Sequence, residues 1–265
     1  MVQLSKIRGM DYLSQFTTRP RRAAARKDRS NRALEAVIKG YEKMLIQSGA
    51  VRIATTLHTR FALRNGSYSY VYVDHGDLIC QPETNKVLVD AVGQYIRQYF
   101  HPDRTILVNV DSKASPQLTG AIAVAAEYRQ IVVLPEATHR EERGLKLRVR
   151  MPIEINPGDK IVIVDDVLTP NDFTALRVAD LVRGHLREKF GTAENEVYLV
   201  VGLVREPDEA VPQLRDRGIE VRSLTTLGAV IRGAWPKLDS DQRQRLLDEF
   251  PTLPQDAEIR ELVQT

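Results

Sequence analysis

The chain is short of cysteine, aromatic rings and long apolar runs, and each shortage removes a class of protein from consideration. Its 265 residues include one cysteine, Cys80, which excludes an intrachain disulfide and any multi-cysteine metal site. No run of about 18 apolar residues occurs, so no membrane-spanning segment is expected. The first residues, MVQLSKIRGMDYLSQF, lack the continuous apolar stretch of a secretory signal, and a cytoplasmic protein is expected. Internal repeats and low-complexity tracts are missing too. His58, His75, His101 and His185 are scattered without metal-ligand spacing, and His75, next to Asp74, either approaches the site or, as the favoured reading, is a satisfied turn residue.

What is present is a 43% hydrophobic composition, enough for one sizeable core with appendages. The net charge of +3 conceals an uneven distribution. Lys6, Arg8, Arg19, Arg21, Arg22, Arg26, Lys27, Arg29 and Arg32 face only Asp11 and Asp28, which puts the first 32 residues at +7 and the remainder at −4. A segment of that charge holds nucleic-acid phosphates or an acidic partner surface through Coulomb attraction alone, or is a solvated terminus.

Three regions are expected: a basic arm over 1–29, a main domain over 30–232 and a helical appendage over 233–265. From Ser30, a good N-cap type, Leu34, Val37, Ile38, Tyr41, Met44 and Leu45 recur at helical spacing, and Gly49 closes the helix. Strands are predicted at 51–56 and 70–73, with a helix between them and TILVNV (105–110). Thereafter apolar, β-branched runs at 105–110, 130–134, 160–164, 196–204 and 219–224 alternate with helical stretches. That order gives an α/β domain with a mostly parallel sheet covered by helices on both faces. Around Trp235 and beyond, one or two short amphipathic helices are expected.

Ligands of an open parallel sheet bind beyond the carboxyl ends of its strands. KIVIVDDVLTPNDFT (160–174) places Asp165 and Asp166 at such an end, where adjacent carboxylates suit a magnesium ion or ribose hydroxyls, or cap the helix that follows. IVIVDDVLT resembles the start of the ribose-phosphate signature of type I phosphoribosyltransferases. FALRNGSYSYVYVD (61–74) and VVGLVREPDEAVPQLRDRGIEVRSLTTL (200–227) are similar to early and late segments of the orotate phosphoribosyltransferase branch. The three stand in the family's order across roughly residues 56–232.

The resemblance implies magnesium-dependent transfer of phosphoribose from phosphoribosyl pyrophosphate (PRPP) to orotate or a related base, in a homodimer. Asp165 and Asp166 then bind the ribose hydroxyls and, through the ligand, Mg2+. Arg64 stands where the family has a lysine near base and pyrophosphate, Thr169 at a threonine that touches the pyrimidine, and Arg205 at an arginine facing the orotate carboxylate. Lys113, in DSKASPQLTG (111–120), lies in the expected pyrophosphate loop without matching a family lysine.

Two loops depart from the pattern. After Thr169 the family has a small residue, glycine, any residue and a hydroxyl, where this chain has Pro170, Asn171, Asp172 and Phe173, with Thr174 next in line. Such a loop grips a 5′-phosphate with backbone N–H groups, and proline has none. Asp172 brings a negative charge, worth roughly 1–4 kcal/mol of repulsion at about 4 Å. In the mobile catalytic loop Glu136 and Ala137 match but the cations do not, leaving His139, Arg140, Arg143 and Lys146 as shifted substitutes, and Thr119 replaces a further lysine. Three functions follow as expectations: a transferase, a pyrimidine- or nucleotide-sensing protein touching nucleic acid through Arg19–Arg32, or a structural subunit.

Overall fold

The computed structural model describes residues 14–56, 59–63, 66–110, 112, 114–135, 147–150, 155–156, 158–171, 173–191 and 194–250, with the backbone alone for 14–30, 134–135 and 147–150. Helix α1 (Ser14–Gln47) begins well before the expected start at Ser30. The reason lies in composition: Ala, Arg and Lys dominate 21–27 and favour helix without writing an apolar period. From Leu34 onward the apolar stripe packs on the core, with Tyr41 and Leu45 fully buried. Gly49, at φ +75°, ends the helix in the left-handed conformation that glycine adopts without strain.

Four short strands follow: β1 (Val51–Ile53), β2 (Phe61–Ala62), β3 (Tyr68–Ser69) and β4 (Val71–Val73). β1 pairs antiparallel with β4 and β2 with β3, forming a small cap. Asp74 then caps α2 (His75–Ile79), accepting a hydrogen bond from the Gly76 amide at 3.0 Å, and α3 (Pro82–Tyr99) completes the first half.

The second half alternates strand and helix: β5 (Thr105–Asn109), α4 (Ser115–Ala126), β6 (Arg129–Pro135), β7 (Leu147–Arg150), β8 (Lys160–Leu168), α5 (Thr174–Phe190), β9 (Val197–Val204), α6 (Pro207–Arg215), β10 (Ile219–Thr226), α7 (Leu227–Ala234) and α8 (Ser240–Glu249). The strands order as β10-β9-β8-β5-β6-β7, parallel as expected except for the antiparallel edge strand β7, which the sequence reading missed.

Period-two geometry divides the central strands between two cores. Val162, Val164, Leu107, Tyr198 and Val200 face α1, α3, α4 and α7, whereas Ile161, Ile163, Ile106, Val108, Leu199 and Val201 face α5 and α6. Both faces are dry, so these strands read as continuous apolar runs. Each fully buried aliphatic contributes about 1.5–3 kcal/mol relative to exposure. Chain order reverses between β5 and β8, which fixes the crevice at their carboxyl ends as the place for a ligand.

Candidate active site at the switch point of the sheet

At that crevice β5 and β6 part. Their ladder ends at Val108–Ile131, and beyond it the Asn109 side chain takes over: its Oδ1 accepts from the Val133 amide (3.0 Å) and its Nδ2 donates to the Val133 carbonyl (2.8 Å). The loop into α4 is held by two serines. Ser115 Oγ accepts from the Val110 amide and donates to the Val164 carbonyl of β8, at 2.9 and 2.5 Å. Ser112 Oγ donates to Asp165 Oδ1 at 3.2 Å, and the Asp166 amide donates to the same oxygen at 2.9 Å. Asp165 is thereby fixed and buried, while Asp166 is half-buried.

Ser112, Asp165 and Asp166 line a cavity of about 630 Å³ together with Ala62, Leu63, Tyr72, Val73 and Asp74 from the cap and Thr169 and Arg205 from the strand ends. The volume lies within the range of small-molecule sites. Thr169 Oγ1 is buried without a hydrogen-bond partner among the described residues, as a hydroxyl reserved for a ligand would be.

His75 also lines the cavity, and here the turn-residue reading is corrected: the ring is fully buried. It stacks on Tyr41 with centroids 6.0 Å apart, and its Nε2 lies 2.5 Å from Tyr41 Oη. Its Nδ1 faces Asp166 Oδ2 at 3.7 Å. Burial pushes the imidazole below its ordinary pKa, against the opposing pull of the Asp166 and Asp74 carboxylates. Burial likewise pushes the Tyr41 phenol well above its ordinary value, with Asp166 and Glu42 adding to the effect. Gly202 of β9 makes room for the pair, since a Cβ there would fall 2.5 Å from Tyr41 Oη and 3.1 Å from the Asp166 carbonyl oxygen.

Arg205 lines the cavity and also fastens the cap above it. Its guanidinium is 2% exposed and donates to the Val71 carbonyl (2.9 Å) and to Ser69 Oγ (2.7 Å), with Glu249 of α8 at 3.8 Å. Burial lowers its pKa while Glu249 and Glu206 raise it. Among the described residues only Nε is left without a partner, and the other two nitrogens clamp the cap.

The loop expected to meet a phosphate offers few free backbone donors. Pro170 supplies no N–H, and the Asn171 amide donates to Gln213 Oε1 of α6 at 3.0 Å. Asn171 holds φ +60°, a left-handed conformation asparagine tolerates, and is exposed. Thr174 opens α5, and neither it nor Asn171 is among the described residues lining the cavity. Arg64, Lys113, Asp172, His139, Arg140, Arg143 and Lys146 lie outside the described residues.

The donor set suits magnesium in one respect. Two carboxylates at the strand end are hard oxygen ligands, but no group of three or more His, Cys, Asp or Glu able to hold a metal occurs among the described residues. An ion here would therefore share its coordination with a ligand's oxygens.

No family model matches the chain. In sequence it is 29% identical over 126 residues to the orotate phosphoribosyltransferase of Sulfurovum sp. (strain NBC37-1), spanning 48% of this chain and 58% of that protein. It is 26% identical over 153 residues to the orotate phosphoribosyltransferase of Pyrococcus abyssi, spanning 56% and 75%. Among solved structures, orotate phosphoribosyltransferase from Aeropyrum pernix superimposes with a TM-score of 0.53 at 22% identity, covering 73% of this chain and 97% of that one. The enzyme from Francisella tularensis gives 0.53 at 16% identity, covering 79% and 96%. The chain thus resembles orotate phosphoribosyltransferases in sequence and has the type I phosphoribosyltransferase fold.

Proposed function

We propose that this orotate phosphoribosyltransferase-like chain transfers phosphoribose from PRPP to orotate or a related pyrimidine base. The observation that carries the reading is the Asp165–Asp166 pair, held at the switch point inside a cavity of suitable size. The anomeric carbon–oxygen bond to pyrophosphate breaks, a bond from the base nitrogen to that carbon forms, the proton of that nitrogen passes to solvent or to the departing pyrophosphate, and pyrophosphate leaves. Asp165 and Asp166 accept hydrogen bonds from the ribose hydroxyls and fix the sugar while positive charge develops on its ring. Thr169 Oγ1 supplies a hydroxyl to the ligand. Mg2+, when bound with PRPP, supplies neutralisation of the pyrophosphate charge.

Around this core we place further proposals: residues 30–232 form the transferase-like domain, 1–29 a basic arm and 233–265 an appendage. The working form is a cytoplasmic homodimer, and Arg19–Arg32 offer a surface for nucleic acid. No helix among the described residues is long and apolar enough to cross a membrane.

Calorimetric titration with PRPP and Mg2+ tests the central proposal. Wild-type protein binds the donor, Asp166→Asn loses at least tenfold in affinity, and orotate is consumed in the combined assay. Orotate or orotidine monophosphate binding without donor binding overturns the transferase and leaves a pyrimidine-sensing protein.

A further inference from the structure

The Tyr41–His75 pair lies beneath the site without a part in the chemistry just proposed, although it joins three elements far apart in sequence. Tyr41 comes from α1, His75 from α2 and Asp166 from β8. The ring between them is fully buried, both of its nitrogens face polar groups, and the missing side chain at Gly202 keeps the space open.

Hydrogen-bond logic assigns the proton. A buried, uncharged imidazole carries one N–H, on either nitrogen. The Tyr41 phenol lies 2.5 Å from Nε2, and where the phenol is the donor it gives its proton to that nitrogen. Nε2 is then an acceptor, and the ring proton resides on Nδ1, which points at Asp166 Oδ2 from 3.7 Å. At that distance Nδ1 has no hydrogen-bond partner among the described residues, and a buried N–H left so is destabilising. A carboxylate displacement of about half an ångström closes the hydrogen bond. With the opposite tautomer, Nε2–H and the phenol would still pair, but Nδ1 would present a lone pair to a carboxylate, which repels it.

We propose that His75 is a positioning residue for Asp166: its Nδ1–H, fixed by Tyr41, draws Oδ2 to one side and orients the carboxylate. The consequence for ligand affinity rests on the phosphoribosyl reading of the site; the tautomer does not. One carboxylate, Asp165, is thus held by Ser112 and the Asp166 amide, and the other by the buried ring, so that both carboxylates are set before ligand arrives.

Nitrogen-15 NMR of histidine-labelled protein, with the His75 signals identified by their loss in His75→Asn, reads the tautomer directly. A neutral Nδ1–H ring at neutral pH, whose shifts move on Asp166→Asn substitution, is expected. An Nε2–H ring, or one indifferent to Asp166→Asn, overturns the proposal. Two substitutions then separate positioning from packing. Asparagine places an amide donor near the position of Nδ1, whereas glutamine restores only the group facing Tyr41. PRPP affinity in the presence of Mg2+ falls at least tenfold in His75→Gln and no more than a few-fold in His75→Asn; equal losses overturn it. Should wild-type protein bind no PRPP, the transferase reading fails while the tautomer result still decides this one.

Discussion

Gly202 shows how one missing side chain can set the geometry of a site. It lies on the face of β9 that meets α1, in the alternation that buries Tyr198 and Val200, and Tyr41 Oη occupies the volume a side chain would take. Gly202→Ala forces the phenol away, with an expected loss of about 1–3 kcal/mol in denaturant unfolding. Combining it with Tyr41→Phe recovers only part of that loss, because the Asp166 carbonyl oxygen remains 3.1 Å from the new methyl. Stability equal to wild type in the single variant would refute the close approach. At this scale the sequence is least informative. Nothing local to His75 distinguishes a turn residue from a buried one, since its partner Tyr41 is 34 residues away. The serine that steadies Asp165 is 53 residues away.

At the scale of elements, the loop between β8 and α5 carries the sharpest departure from a phosphate cradle. Its Asn171 amide is engaged by α6, and Gln213→Ala releases it. A single N–H donated to a charged acceptor is worth about 1.5 kcal/mol or more. Affinity for PRPP is therefore expected to rise about tenfold in that variant by calorimetry, and no change would mean that the loop does not meet the phosphate. The elements themselves were legible where period and burial agree: KIVIV is buried on both faces and needs no partner to be recognised as a strand. The acids that end this run were found for the same reason, although β8 continues through them to Leu168. Strand β7 was not legible, because Leu147-Arg-Val-Arg alternates with cations and reads as a charged loop. The first turns of α1 were missed because propensity, not amphipathic spacing, forms them. Arg205 was singled out by resemblance and lines the cavity, but its hydrogen bonds to the cap could not be read from sequence, since they go to residues more than a hundred positions earlier.

Across the whole molecule, the cap is fastened to the sheet by late segments of the chain. Arg205 ties it from the end of β9, Glu249 of α8 accepts from the Tyr70 amide at 2.7 Å, and Arg245 donates to the Thr55 carbonyl. Glu249→Ala leaves the Tyr70 amide and the buried Arg205 without this partner. It is expected to destabilise by about 2–3 kcal/mol in urea unfolding. Glu249→Gln keeps the bond to Tyr70 and loses only the charge, so it is expected to fall between alanine and wild type; an alanine variant as stable as wild type would show the fastening to be idle. The same geometry governs how the protein is born. Tyr70 and Glu249 are 179 residues apart, and at ribosomal rates of about 5–20 residues per second the second is made roughly 10–40 seconds after the first. Until β9 is complete the roof of the pocket has strands but no anchor, and until α8 is complete it has Arg205 but neither Arg245 nor Glu249, so the fastening is finished only when translation has passed α8.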